Sequence, residues 1–170
     1  MQIKLVLTDI DGVWTDGGMY YDENGNELKK FNTSDSAGVL FLHKLNIPVG
    51  IITGEDMLSV KHRAEKLKVD YVFCGIIDKL AKAKELCEKL NISLNEVAFI
   101  GDDLIDVPLL AACGFSAVPA NAKDYVASYA KYKLNSRGGD GAFREFVELL
   151  LNKNNLFDIA LKAVFKSIGY

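Results

Sequence analysis

The chain has 170 residues, of which 49% are hydrophobic and 25% are charged, and this length and composition fit one domain with a hydrophobic core. The formal net charge of −3 and the lack of a long basic run argue against nucleic acid as a partner. No apolar stretch approaches the roughly 20 residues of a membrane span, and Met1 runs directly into a strand pattern instead of a signal segment, so we predict a cytoplasmic protein that does not enter a membrane.

Apolar runs typical of strands alternate with segments of helical spacing along the chain. The predicted strands are residues 3–8, 48–53, 71–73, 97–100 and 115–118, and the predicted helices are residues 36–45, 55–67, 79–90 and 104–112. This alternation is typical of a parallel sheet covered by helices. We therefore predict an α/β fold of three layers around a Rossmann-like parallel sheet.

Residues 14–32 interrupt this alternation after the first strand. The Met19-Tyr20-Tyr21 run and the Asn24-Gly25 turn dipeptide predict a β-hairpin insertion. The insertion is too short for a cap domain, so a site at the sheet edge would stand open in a monomer, and a neighbouring subunit is the candidate to cover it. The segment 153–170 is apolar and amphipathic and would pack on its own domain or on another chain. We predict a single domain over residues 1–170 without a cap.

Four carboxylates follow two of the predicted strands: Asp9 and Asp11 after the first, Asp102 and Asp103 after the fourth. Because the carboxyl ends of parallel strands open onto one crevice, both pairs can converge although they lie far apart in the chain. Close carboxylates repel one another unless a cation neutralises them, and Mg2+ prefers carboxylate oxygens, waters and phosphate. The pattern predicts a Mg2+-dependent enzyme that handles phosphate, with Asp9, Asp11 and Asp102 as metal ligands. Asp103 would orient a metal-bound water or Lys79.

The ends of other elements offer the remaining groups for phosphoryl transfer. Asp9 is predicted to be the nucleophile that forms an aspartyl phosphate, and Asp11 the acid that protonates the leaving alcohol and the base that then activates water. Thr53 and Gly54 offer a hydroxyl and main-chain amides to a phosphoryl oxygen, and Lys79 offers a compensating charge. Each element alone has a commoner explanation, such as a solvated turn or a helix cap for the Asp9–Asp11 triplet.

The order of the motifs is more specific than any one of them. The chain reads TDIDGVWTDG after the first strand, TGE after the second, DKL at a helix start and GDDLID after the fourth strand. In this order the motifs resemble those of the haloacid dehalogenase superfamily of phosphohydrolases, over nearly the whole chain. DGVWTDG, the hairpin, FNTSDSAG and RGGDGAFRE are similar to the small capless group of 3-deoxy-D-manno-octulosonate 8-phosphate phosphatases. In that group the hairpins pack together in a homotetramer and an adjacent subunit helps close each active site, and the resemblance implies the same here.

The resemblance also implies where a sugar-acid phosphate would bind. The implied substrate-binding residues are Asn32, Thr33, Ser34, Asp35, Ser36, Glu55, Arg63, Lys66, Lys79 and Asp106. Octulosonate phosphatases typically carry Arg after the Thr-Gly pair, whereas this chain carries Glu55. A carboxylate there would accept hydrogen bonds from sugar hydroxyls, and Lys66 would bind the carboxylate of the substrate. This pattern favours hydrolysis of 2-keto-3-deoxy-D-glycero-D-galacto-nononate 9-phosphate over the alternative, 3-deoxy-D-manno-octulosonate 8-phosphate, and leaves carbon number and stereochemistry open.

Other functions share parts of the pattern. A non-catalytic scaffold or allosteric subunit with this fold would not need Asp9, Asp11, Lys79 and Asp102 together. A receiver domain places its acidic pair and its phosphoacceptor in a different order. A phosphomutase is the nearest enzymatic rival, but the chain encodes no separate cap that would shield an intermediate from water.

Two assignments stay open at this point. Ser34 or Asp35 could cap the helix that follows instead of, or as well as, binding a sugar. The resemblance places Arg137 near the entrance of the active site, with no defined role.

Overall fold

Strands and helices alternate along most of the chain in the computed structural model, which describes residues 3–169. Met1, Gln2 and Tyr170 lie outside the described residues. The two ends of the predicted domain, and the expectation about a signal segment at Met1, fall on these residues. The strands are β1 (Leu5–Thr8), β2 (Tyr20–Tyr21), β3 (Glu27–Leu28), β4 (Val49–Ile52), β5 (Tyr71–Phe73), β6 (Val97–Ile100), β7 (Phe115–Val118) and β8 (Tyr132–Lys133). The α-helices are α1 (Asp35–Lys44), α2 (Leu58–Leu67), α3 (Lys79–Leu90), α4 (Val107–Ala112), α5 (Asp124–Ala127), α6 (Ala142–Lys153) and α7 (Phe157–Ser167), and short 3-10 helices span Leu94–Glu96 and Leu104–Asp106.

The main sheet has six parallel strands in the order β5-β4-β1-β6-β7-β8. The first strand of the chain therefore lies inside the sheet, between β4 and β6. After β1, the chain adds β4 and β5 on one side of it, and then β6, β7 and β8 on the other side. In open α/β sheets, ligands bind at the carboxyl ends of the strands where the order reverses in this way, which here is the end of β1 that carries Asp9.

Helices cover both faces of the sheet, and two hydrophobic clusters fill the layers between them. Val6 of β1 belongs to the cluster on the α1, α6 and α7 side, whereas Leu5 and Leu7 belong to the cluster on the α3 and α4 side. Strands buried on both faces need apolar residues at every position, and all four residues of β1 are buried. The predicted three-layer α/β fold without a cap is confirmed.

Several predicted bounds hold and others shift for local reasons. The strands 71–73, 97–100 and 115–118 and the helix 79–90 have the predicted bounds, while α1 lies at Asp35–Lys44. Helix α2 begins three residues later than predicted, at Leu58, because residues 53–57 form the loop at the sheet edge. The predicted helix 104–112 is divided into a 3-10 turn and α4. The helix α6 and the strand β8 were not predicted.

The insertion after β1 forms an antiparallel hairpin, as predicted, in which Tyr20 pairs with Leu28 and Tyr21 with Glu27. Its start differs from the prediction, because Trp14 is fully buried in the main core and its ring lies 4.7 Å from that of Phe143. The tail packs on its own domain through α7, which contacts α1. None of the described helices has both the length and the hydrophobicity needed to cross a membrane.

Candidate active site

The carboxyl ends of β1, β4 and β6 open onto a cleft of about 270 Å³. The residues that line it are Asp9, Asp11, Gly12, Gly17, Thr53, Gly54, Glu55, Asp102, Asp103 and Ile105. A larger cavity of about 460 Å³ lies between the α6–α7 turn and Ile47, but its described lining residues include one charged side chain, Lys153, and no carboxylate. Of these two cavities, the smaller cleft is therefore the one lined by carboxylates that could bind a metal or react.

Lys79 connects two carboxylates beneath the cleft. Its Nζ lies 2.9 Å from Oδ2 of Asp9 and 2.6 Å from Oδ1 of Asp106. The side chain is fully buried, and a buried ammonium is stable only when acids of good geometry surround it. Burial alone would lower the pKa of Lys79, but the charges and hydrogen bonds of Asp9 and Asp106 raise it above its ordinary value. Lys79 therefore remains a cation that holds the Asp9 carboxylate in one orientation.

Asp106 organises the loop after β6 from below. Its Oδ2 accepts hydrogen bonds from the backbone N–H groups of Asp102, at 2.8 Å, and Asp103, at 3.1 Å. The 3-10 turn Leu104–Asp106 brings this carboxylate back under the loop, where it is fully buried. The expectation that Asp106 contacts substrate therefore does not hold for this cleft, and Asp106, not Asp103, orients Lys79. Asp103 is exposed and caps the 3-10 turn by accepting from the N–H of Leu104.

The carboxylates of Asp9 and Asp102 have the properties of cation ligands. Burial raises the pKa of Asp9 to about 7, with the charge of Asp106 acting in the same direction and Lys79 against it. Burial, followed by the charges of Asp9 and Asp106, raises the pKa of Asp102 to about 8. Among residues 3–169, Oδ1 of Asp9 and Oδ1 of Asp102 have no hydrogen-bond partner although both are buried.

A divalent cation fits this donor set. Oxygens of Asp9, Asp102 and Asp106 lie within 4.8 Å of one another, and a cation would give the two unpaired oxygens a partner and offset their repulsion. The Asp106 oxygens already bind Lys79 and two backbone amides, so Asp9 and Asp102 have the free ligand atoms. Gly12 leaves room for this arrangement: it has a φ of +78°, and a Cβ there would lie 2.0 Å from Oδ2 of Asp102.

Asp11 lies at the edge of the cleft in contact with the hairpin. The Nζ of Lys29 is 2.7 Å from Oδ1 and 2.9 Å from Oδ2 of Asp11, and the Thr15 hydroxyl donates to Oδ1 at 3.2 Å. The predicted metal-ligand set of Asp9, Asp11 and Asp102 thus differs from the cluster found, because the Asp11 side chain pairs with Lys29. Lys29 was missed by the sequence analysis, since a lysine in a hairpin has no spacing that marks it.

The segment after β4 closes another side of the cleft. Thr53 is buried and its backbone is fixed by hydrogen bonds, from its N–H to the carbonyl of Phe73 and from the N–H of Ile76 to its carbonyl. Gly54 and the exposed Glu55 follow it and also line the cleft, as predicted. Lys66 lies in the last turn of α2, roughly 12 Å along the axis from the start of the helix at 1.5 Å per residue, and is exposed. It is not among the residues that line the cleft.

The predicted sugar loop, Asn32, Thr33, Ser34, Asp35 and Ser36, lies beside the cleft instead of lining it. Asn32 donates to the carbonyl of Gly139 at 3.2 Å, and Arg63 donates to the carbonyl of Asn32 at 3.3 Å. Asp35 is fully buried and accepts from the N–H of Arg144 at the start of α6, at 3.0 Å. Burial raises the pKa of Asp35 to about 6, against the opposing effects of the Arg144 N–H and the Arg63 charge.

The sequence left open whether Ser34 or Asp35 caps α1 and what role Arg137 has. Ser34 occupies the N-cap position of α1 without a side-chain cap hydrogen bond, and Asp35 bonds to α6, so neither caps α1 through its side chain. Arg137 is exposed, and the glycines after it pack on the loop after β1, where a Cβ on Gly138 would lie 1.8 Å from the carbonyl oxygen of Gly12.

Comparisons with known proteins agree with this geometry. The sequence profile of the haloacid dehalogenase-like hydrolases matches residues 72–146. The 3-deoxy-D-manno-octulosonate 8-phosphate phosphatase KdsC of Haemophilus influenzae is 38% identical over 173 residues, which cover 98% of this chain and 96% of that protein. The phosphatase of the same name from Escherichia coli K12 is 39% identical over 158 residues, covering 93% of this chain and 84% of that protein.

Solved structures give the same result. The crystal structure of 3-deoxy-D-manno-octulosonate 8-phosphate phosphatase from Moraxella catarrhalis, in complex with magnesium, phosphate and KDO, matches with a TM-score of 0.91 at 37% identity and covers 96% of this chain and 93% of that one. A probable YrbI family phosphatase from Pseudomonas syringae matches with a TM-score of 0.92 at 37% identity, with the same coverage of both chains.

Proposed function

This chain belongs to the haloacid dehalogenase-like hydrolases, within the family of the 3-deoxy-D-manno-octulosonate 8-phosphate phosphatases, and from that membership we propose that it hydrolyses the phosphate ester of a 2-keto-3-deoxy sugar acid. The observation that carries the proposal is the cluster in which Lys79 bridges Asp9 and Asp106 beside Asp102. Burial of these charges costs free energy, and a scaffold protein has no catalytic use for such a buried cluster.

We propose 3-deoxy-D-manno-octulosonate 8-phosphate as the substrate. The support is that relatives named for this activity align with this chain over 84–96% of their own length in the two comparisons given above. This support is stronger than that for the nine-carbon acid favoured by the sequence pattern, since Lys66, one of the two residues on which that preference depended, is not among the residues that line the cleft.

The nine-carbon 2-keto-3-deoxynononate 9-phosphate is the second candidate, and Glu55 is the observation that favours it. Its side chain is exposed at the cleft, directly after Thr53 and Gly54. A carboxylate at this point would accept hydrogen bonds from the hydroxyls of a longer sugar chain, and it would repel a substrate carboxylate placed close to it.

The proposed cofactor is Mg2+, held by Asp9 and Asp102 through the oxygens that lack other partners. When bound, Mg2+ would neutralise charge on the phosphate and the carboxylates while they approach one another. The supporting observations are the oxygen-only donor set, its raised pKa values and the magnesium ion in the Moraxella catarrhalis relative.

In the proposed reaction, a carboxylate oxygen of Asp9 bonds to phosphorus as the bond to the sugar oxygen breaks, and Asp11 gives its proton to that oxygen. Asp11 then takes a proton from a water molecule, which attacks the aspartyl phosphate and releases phosphate. Lys79 holds Asp9 in orientation throughout, while the Thr53 hydroxyl and the Gly54 amide, from two residues that line the cleft, would bind phosphoryl oxygens.

We also propose that the chain assembles as a homotetramer through the hairpin. The support is a group of exposed apolar side chains on β2 and β3, Tyr20, Tyr21 and Leu28, with Met19 before them. The cleft has no covering domain of its own, so a neighbouring subunit is the natural cover.

The test is steady-state phosphate release with Mg2+ from the two sugar-acid phosphates side by side. We expect kcat/KM for the eight-carbon acid to exceed that for the nine-carbon acid by about tenfold, which corresponds to roughly 1.4 kcal/mol of differential transition-state binding. The opposite preference would establish the nine-carbon candidate, and no turnover of either would refute both substrates. Asp9→Asn, a nearly isosteric change, is the control that must abolish turnover.

A further inference from the structure

The ammonium group of Lys29 is buried against the loop after β1, which carries Asp11, although the residue belongs to the hairpin. Its side chain is 1% exposed, and its Nζ contacts both oxygens of Asp11, at 2.7 and 2.9 Å. A second acid, Glu27 on β3, lies 3.5 Å from the same Nζ. The residues that line the cleft include Asp11 but neither Lys29 nor Glu27, so the lysine approaches Asp11 from outside the substrate space.

Burial of this lysine needs an explanation. Desolvation of an ammonium costs free energy, and an ordinary hairpin lysine remains in water, as its neighbour Lys30 does. Burial alone would lower the pKa of Lys29, whereas its hydrogen bond to Asp11 and the charges of Asp11 and Glu27 raise it overall. The group is therefore a cation, and one of its two partners is the proposed acid and base of the reaction.

We infer that Lys29 is a positioning residue that holds Asp11 in its catalytic orientation and thereby links the hairpin to proton transfer. This inference rests on the proposed function, in which Asp11 protonates the leaving oxygen. The Lys29 ammonium contacts both carboxylate oxygens of Asp11, and the Thr15 hydroxyl donates to Oδ1 at 3.2 Å. Together these contacts restrict the rotation of the Asp11 carboxylate. Such orientation lowers the entropy cost of proton transfer.

The charge of Lys29 acts on the same step. As Asp11 gives its proton to the leaving oxygen, negative charge develops on its carboxylate, and a fixed ammonium within hydrogen-bond distance stabilises that charge. Loss of Lys29 would therefore slow reactions in which the leaving group needs the proton. It would have little effect on a leaving group that departs as a stable anion.

The test compares two aryl phosphates whose leaving groups differ in this need. Lys29→Met should lower kcat/KM for phenyl phosphate by about tenfold or more, within the range of a general acid contribution. It should lower kcat/KM for p-nitrophenyl phosphate much less, because p-nitrophenolate leaves without a proton. Lys29→Arg should restore part of the difference. Lys30→Met, the matched change at the next and exposed lysine, should leave both values unchanged.

The ratio of the two kcat/KM values does not depend on the fraction of folded enzyme, so partial misfolding of Lys29→Met cannot imitate the expected result. An equal fall for both substrates would show that Lys29 only anchors the hairpin, and no fall for either would also overturn the inference. Wild-type enzyme that cleaves the aryl phosphates but neither sugar-acid phosphate would refute the proposed substrates and leave this test valid. Wild-type enzyme with no phosphatase activity would refute the proposed function and this inference together.

Discussion

Lys79 sets the arrangement of carboxylates in the cleft, because its ammonium contacts Asp9 and Asp106 while Asp106 holds the backbone N–H groups of Asp102 and Asp103. One buried cation thus connects the ends of two strands and the start of a helix. A single network thus positions Asp9, the proposed nucleophile, and Asp102, the second proposed metal ligand, so a change at Asp106 should disturb both.

We predict that Asp106→Asn lowers kcat by about 10- to 100-fold, the range typical for loss of a residue that orients a metal ligand. The amide can still accept from the backbone N–H groups, but its uncharged group no longer balances Lys79. Steady-state kinetics at saturating Mg2+ measures the effect. The matched control is Asp103→Asn, an exposed carboxylate whose replacement keeps a capping oxygen; a loss of equal size there would contradict the role given to Asp106.

Gly12 and Gly25 provide a second matched pair, because both have a left-handed φ, +78° and +80°, but only Gly12 faces another group. Gly25→Ala should cost about 1–2 kcal/mol of unfolding free energy, from backbone strain alone. Gly12→Ala should cost about 1–3 kcal/mol more, because its Cβ meets the Asp102 carboxylate. Chemical denaturation gives both values, and calorimetric titration should show that only Gly12→Ala loses Mg2+ binding. Equal effects of the two changes would refute the steric argument.

Sequence alone located these acids but not their partners. Asp9, Asp11 and Asp102 follow apolar strands, and strand ends meet at one edge of a parallel sheet whatever the details of packing. The contacts of Lys29 and Asp106 depend instead on how a hairpin and a 3-10 turn fold back, which no periodic pattern encodes. For the same reason Asp106 has the role of orienting Lys79 that was expected of Asp103, and Asp103 caps the 3-10 turn instead.

At the scale of elements, Asp35 joins the first turn of α1 to the start of α6 through the N–H of Arg144. Its folded-state pKa of about 6 lies above the ordinary 3.8, so the folded protein binds its proton more tightly than the unfolded chain does. The stabilising contribution is complete below about 3.8 and is lost as the pH rises through about 6.

We therefore predict that Asp35→Asn makes the protein more stable relative to wild type as the pH rises from 4.5 to 7.5. Asparagine keeps an oxygen for the Arg144 N–H but has no charge to desolvate at the higher pH. Urea unfolding of both proteins at the two pH values, with saturating Mg2+ so that the acids of the cleft contribute little, measures the change. A difference that stays constant or changes in the other direction would contradict the assigned pKa shift.

The elements that sequence predicted best are those whose pattern is fixed by burial. Helix α3 has a cap, since Asp78 accepts from the N–H of Ala81, and one apolar stripe, and it was located to the residue. The start of α2 was misplaced because Glu55 and Asp56 fit a helix as well as a loop. The conformation of residues 53–57 is decided by the sheet edge, which is tertiary information.

At the scale of the whole molecule, the proposed tetramer depends on the apolar hairpin face. We predict that Tyr21→Lys, at a side chain that is 63% exposed, shifts the protein towards smaller assemblies, because a charge in an apolar interface is costly to desolvate. Sedimentation velocity measures the assembly. Tyr129→Lys, at a similarly exposed tyrosine outside the hairpin, is the control and should change nothing. Wild-type protein that sediments as a monomer would refute the proposal.

The position of β1 inside the sheet has a consequence for synthesis on the ribosome. β1 leaves the ribosome well before its partner β6, because the paired residues Leu5 and Val97 lie 92 positions apart in the chain. Until then the Asp9 carboxylate lacks Asp102, which follows β6, and the edge of β1 that pairs with β6 is open. The nascent chain thus passes through a long stage in which an apolar strand awaits its partner. Catalytic competence should therefore arise late and abruptly, when the second half of the sheet closes on the first.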